Sequence, residues 1–220
     1  AYMGEKKKAY DAIEEAFAMS GEWEPWGFEN MDWLEPGYGR LLSDVGFNVY
    51  NTRAGDITAP FMTAERSLYI RNVFDLFPPQ NQIDGRFERF LSMLSSNYLS
   101  VKGKKGNHDV AYLPLLRKSE LYYIKGEYLA SIGQVDEAVD LLREIRSARG
   151  DISLDDLNTI STEAGYIQAM LTDARKEFIG EGQSFYLFKR LNLPVFDGVQ
   201  NIDFRSQYVL PVPKSEEVVF

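Results

Sequence analysis

Residues 115–150 read LLRKSELYYIKGEYLASIGQVDEAVDLLREIRSARG, and this stretch decides the fold. Apolar side chains at Leu116, Leu121, Ile124, Tyr128 and Ile132 recur at helical steps and stop at Gly133. A second stripe of Val135, Ala138, Val139, Leu142 and Ile145 begins at once and stops at Gly150. A link this short predicts an antiparallel helical hairpin.

The length of the hairpin and its small residues Gly126, Ala130 and Ala138 resemble one tetratricopeptide-like unit. One hairpin cannot bury its apolar face alone, so other helices must stack on it. Tyr10, Ile13 and Phe17 mark one candidate over 4–20, with Gly21 as its stop. A second covers 162–191 but contains Gly180 and Gly182, each costing about 1 kcal/mol against Ala in a helix interior. It is predicted to kink or break there. Ser153 and Asp156 read as the cap of a short helix before it. Phe77-Pro78-Pro79-Gln80 cannot be helix interior, 87–99 reads as a short helix or strand, and Val209-Leu210-Pro211-Val212-Pro213 reads as extended. The fold class that follows is mostly α: a tetratricopeptide-like hairpin packed by further helices, with long irregular loops.

Composition removes several function classes. The chain has 220 residues, 45% of them hydrophobic, enough for one substantial core. No run approaches the roughly 18 apolar residues of a membrane span. A net charge of −9 argues against nucleic acid as a partner. Lys6-Lys7-Lys8 reads as a solvated helix face, and Lys102, Lys104 and Lys105 sit in a glycine-containing loop. With no cysteine there is no disulfide, thiolate nucleophile or Cys-based metal site. His108 is the single histidine and reads as an exposed turn residue, so neither a His-based triad nor a His-rich metal site can be assembled. EF-hand, dinucleotide-binding and phosphate-loop spacings are missing, so no cofactor and no metal are expected.

Residues 22–39 differ in texture from everything around them. Trp23, Trp26, Trp33 and Tyr38 lie there among Glu22, Glu24, Glu29, Asn30, Asp32 and Glu35. Sugars present apolar C–H faces that stack on flat rings, and hydroxyls that need polar partners. Trp23, Trp26, Trp33, Tyr38 and Asn30 are therefore the candidate ligand contacts. The same rings could instead cover core edges beneath an irregular loop, as Trp is usually largely buried.

Three blocks of the second half resemble the SusD/RagB family. Leu115 to Glu127 carries an Arg–x–x–Glu step at Arg117 and Glu120, followed by Leu142-Arg143-Glu144-Ile145-Arg146-Ser147-Ala148-Arg149-Gly150. Residues 174–190, ARKEFIGEGQSFYLFKR, match a second block, with Ala174 where the family has Glu and Ser184 where it has Arg. Tyr208 to Glu216 matches the closing L-P-I-P-x-x-E, and Asp84-Gly85-Arg86-Phe87 resembles an upstream D-x-R-F step. The resemblance implies a SusD-like α-superhelical domain over 1–220, corresponding to the family's C-terminal part, with its N-terminal half absent. It implies non-catalytic capture of a glycan or other oligomeric nutrient at the outer-membrane surface of a Bacteroidetes-type cell. The partner would be a SusC-like TonB-dependent transporter, and a lipid anchor would lie outside this chain. A helical-repeat adaptor that binds proteins and no sugar is the alternative.

Glu177 and Glu181 admit two readings. Carboxylates beside an aromatic stripe are expensive to bury unless paired, which predicts ion pairs locking this helix to the hairpin through Arg117 and Glu120. As an acid–base pair they would need to converge on one glycosidic bond, which residues four apart on a helix seldom do.

Overall fold

Two glycines in the left-handed region end the two helices of the hairpin. In the computed structural model, which describes residues 4–19, 45–50, 69–70, 73–78, 84–94, 97–100, 110–151, 154–179, 182–196 and 201–202, these helices are Lys118–Ser131 and Val135–Ala148. Gly133 (φ +87°) and Gly150 (φ +72°) sit where a side chain would be strained. Gln134 N–H reaches the Leu129 carbonyl at 2.9 Å, and Asp151 N–H the Arg146 carbonyl at 2.9 Å. These are the long bonds of two successive Schellman caps, and they satisfy carbonyls a helix end would otherwise leave open.

In chain order the elements are α1 (Lys6–Met19), β1 (Val45–Tyr50), β2 (Tyr69–Ile70), α2 (Val73–Leu76), α3 (Gly85–Phe90), β3 (Leu91–Leu94), β4 (Asn97–Ser100), β5 (Val110–Leu116), α4 (Lys118–Ser131) and α5 (Val135–Ala148). A 3₁₀ turn (Asp155–Thr159) and α6 (Glu163–Glu177) follow, then α7 (Gln183–Leu191), β6 (Val195–Phe196) and β7 (Asn201–Ile202). Helix dominates, and the neighbours are short antiparallel ladders. β1 pairs with β5, β2-β4-β3 form a three-stranded sheet, and β6 pairs with β7. Pro114 lies in β5 opposite Gly46, in a two-stranded ladder where a missing donor can face outward. The stretch 87–99 is both things its sequence allowed, since α3 runs directly into β3 and β4.

The chain divides into two compact units, Ala1–Gly180 and Glu181–Phe220. In the first, α4 packs against α1, α5 and α6. Ile13, Ala138, Leu142, Ile145, Leu157, Met170 and Ala174 form its apolar centre. The stripe on α5 is buried as its spacing indicates, at Ala138, Val139, Leu142 and Ile145. The stripe on the first hairpin helix is not that helix's buried face. Leu121, Ile124 and Tyr128 are half-buried and Ile132 is exposed, while Tyr123, Gly126, Glu127 and Ala130 are buried. Leu116 belongs to β5. The reason is position: α4 has helices on three sides, and part of what it buries is polar.

Against α1, Tyr10 meets Tyr128 with ring centroids 4.6 Å apart, and Phe17 meets Tyr122 at 5.4 Å. The segment read as 162–191 is two helices. α6 starts at a Thr162 cap accepting from Gly165 N–H and ends at Glu177, and α7 starts after Gly182 (φ +80°). Phe178, the C-cap of α6, and Phe185, within α7, therefore do not lie on one continuous helix. In the second unit, Asn192 (φ 53°) ends α7, and Val195 pairs with Ile202. Ser153, His108 and residues 209–213 lie outside the described residues.

Candidate functional site

The chemistry concentrated in the described residues is a buried cluster of charge. Asp84 caps α3 and accepts from Arg86 N–H at 3.1 Å, from Arg86 Nε at 2.9 Å and from Nη2 at 2.9 Å. This fixes the guanidinium as a fork. Its other side donates to Asp173 at 2.7 Å and approaches Glu177 at 3.4 Å, both on α6. Lys176, next to Glu177 on the same helix, donates to Asp84 at 3.1 Å with its ammonium 5.2 Å from the Phe77 ring centre.

Glu177 is the hub. Arg117, the residue before α4, donates to it at 2.7 Å, and Arg149, the residue after α5, at 3.0 Å. Asp173 accepts from the Tyr123 hydroxyl, and Arg146 lies 3.5 Å from it while gripping Asp156 at 2.9 Å through both carboxylate oxygens. Asp84, Arg86, Asp173 and Glu177 are fully buried. Burial alone would raise the Glu177 carboxyl, but Arg149, Arg117 and Arg86 outweigh it and hold it well below the usual carboxylate range. Burial likewise works against Asp84, and Arg86 with Lys176 pull it down. Tyr123 is pushed well up, by burial first and then by Asp173 and Glu177.

This arrangement is a clasp. It ties the turn at 84–87, both ends of the hairpin and the last turn of α6 into one network that water does not reach. A buried carboxylate pinned ionised by three guanidiniums has no proton to donate, so Glu177 is unsuited to general acid work. The ion-pair reading of Glu177 is the one the geometry shows, with Arg117 a direct partner. Glu120 is half-buried, and its amide donates to the Arg117 carbonyl. Spacing did not identify the roles of Asp84, Arg86, Tyr123, Arg146, Arg149, Asp173 and Lys176. The signal was Asp173 and Glu177 four apart on a helix, facing Arg146 and Arg149 three apart on another.

A close approach supports the clasp from beside it. At Gly126 on α4, an added Cβ would lie 1.9 Å from the Tyr166 hydroxyl of α6. Tyr166 is fully buried, and its hydroxyl has no hydrogen-bond partner among the described residues.

Trp23, Trp26, Asn30, Trp33 and Tyr38, the ligand contacts expected from the sequence, lie outside the described residues, as does Glu181. Among the described residues no helix is long and apolar enough to cross a membrane, and no three carboxylate or histidine groups gather as a metal would need.

A family model for the SusD family matches residues 78–209, a span containing every member of the clasp. No curated protein matches. The crystal structure of a SusD superfamily protein from Bacteroides thetaiotaomicron VPI-5482 matches with a TM-score of 0.68 at 22% identity, over 91% of this chain and 52% of that one. The chain therefore spans about half the length of that protein, and the likeness is one of fold.

Proposed function

This chain belongs to the SusD family, and on that premise we propose that it captures a glycan or other oligomeric nutrient at the outer-membrane surface and passes it to a TonB-dependent transporter. The observation that carries this reading is the family match over 78–209. The clasp supports it, because the motif residues are consumed in holding helices together and leave ligand contact to the loops. Trp23, Trp26, Trp33, Tyr38 and Asn30 are the proposed contacts, rings for stacking and an amide for hydroxyls. A single sugar site of this kind gives roughly −4 kcal/mol, a millimolar constant, so retention relies on several contacts along a polymer.

The reading is non-catalytic. It takes the protein to be lipid-anchored through a residue outside this chain, and the chain to be the C-terminal part of a longer family member. The transporter is assigned to the helical side, since stacked helices offer broad surfaces to a protein partner. The test is affinity-gel retention of this chain on a polysaccharide panel beside Trp26→Ala and Trp33→Ala. Retention lost in the variants with unchanged thermal unfolding supports the proposal. Equal retention removes the loop from it, and no retention by any glycan, with capture of a protein partner, favours the helical-repeat adaptor.

A further inference from the structure

In the unit Glu181–Phe220, α7 anchors itself through Leu187, its buried side chain, and turns two large rings outward. Phe185 is 37% exposed and Tyr186 58%. The rings meet edge to face, with centroids 5.3 Å apart and planes at 86°, so each steadies the other while part of each faces solvent. Polar groups border the pair within one helical turn. Gln183 lies three residues before Tyr186 and Lys189 three after it, with the Lys189 ammonium 5.9 Å from the Phe185 ring centre.

The size of this patch decides what it suits. An aromatic side chain carries about 150–250 Å² of surface, so these exposures leave roughly 200 Å² of ring open. A stable protein interface takes about 800 Å² from each partner, several times more. A lipid surface would take a longer apolar stripe than one pair of rings. The patch is on the scale of a sugar ring, whose apolar C–H face stacks flat while hydroxyls at its rim take hydrogen bonds from the Gln183 amide and the Lys189 ammonium.

We propose that Phe185 and Tyr186 form a second sugar-stacking site, distinct in sequence from the aromatic segment at 22–39. This rests on the proposed capture of a glycan and adds a site to it. One ring pair is a weak contact, about millimolar, so it shows as affinity added to a retained polymer rather than as retention on its own.

The experiment is affinity electrophoresis of the intact chain in gels containing starch, xyloglucan, galactomannan or xylan, with wild type beside Tyr186→Ala, Tyr186→Leu and Tyr186→Phe. Tyr186 is exposed, so the variants should unfold at the wild-type temperature. On the polymer that retains wild type, Tyr186→Ala and Tyr186→Leu should bind about three- to tenfold more weakly. Tyr186→Phe keeps the ring and should stay within about twofold of wild type. Equal retention of Tyr186→Ala, or full affinity in Tyr186→Leu, overturns the stacking site while leaving glycan capture standing. Retention of the intact chain by none of the polymers overturns glycan capture and the site with it.

Discussion

Replacing Glu177 by Gln should destabilise the protein far more than a single side-chain change at an exposed site. Glu177 is fully buried and takes hydrogen bonds from Arg117 at 2.7 Å and Arg149 at 3.0 Å, with Arg86 at 3.4 Å. The amide preserves volume but leaves three buried guanidiniums facing a neutral group that also brings two donors of its own. Breaking one side of a buried ion network costs about 3–5 kcal/mol. For a chain of this length that corresponds to a fall in Tm of about 6–20 °C. Urea unfolding followed by circular dichroism gives the free energy, with Arg175→Ala on the exposed side of α6 as control, expected within about 0.5 kcal/mol of wild type. Arg117→Met made alone and with Glu177→Gln closes a double-mutant cycle, whose coupling should be about 0.5–3 kcal/mol. A loss below about 1 kcal/mol for Glu177→Gln, or additive single changes, would refute the hub.

Further consequences can be checked with the same equipment. Gly126→Ala should cost about 1–3 kcal/mol because its Cβ collides with Tyr166, as read from denaturant midpoints. Tyr166→Phe removes a buried hydroxyl that lacks a partner, so stability should be unchanged or higher, and the double variant should recover part of the Gly126→Ala loss. Glu177 and Asp84 are depressed in the folded state, so their contribution is complete above the unfolded carboxylate range near pH 4.3 and is lost as pH falls below it. Tyr123 and Tyr166 are raised, chiefly by burial, so the fold loses stability as pH rises beyond about 10, where the phenols of the unfolded chain ionise and the buried ones do not. Thermal scans across both limits should show Tm dropping on each side, and Glu177→Gln should flatten the acid limb.

The parts of the fold legible in sequence were those set by local periodicity and by glycine. The α5 stripe, the stops at Gly133 and Gly150 and the break near Gly182 follow from chain chemistry and lie where that chemistry puts them. The buried face of α4 was not legible, since periodicity assumes an apolar interior and α4 turns Tyr123 toward Asp173 and Gly126 toward Tyr166. Long-range partners were the second blind spot. Nothing in the local sequence says that Arg86 meets Asp173 across an 87-residue separation, although the family motifs contain both ends of the clasp. The short ladders went unread for a related reason. The pairing of β1 with β5 joins segments more than fifty residues apart, and Val45 to Tyr50 has no turn signal pointing to its partner.

The central claim is that the clasp holds the scaffold while the aromatic segment binds sugar. Titration calorimetry of whichever polymer retains the chain tests it most directly, with wild type and Trp26→Ala compared at equal Tm. Saturable heat for wild type and none for Trp26→Ala is the predicted result, and equal heats for the two would contradict it.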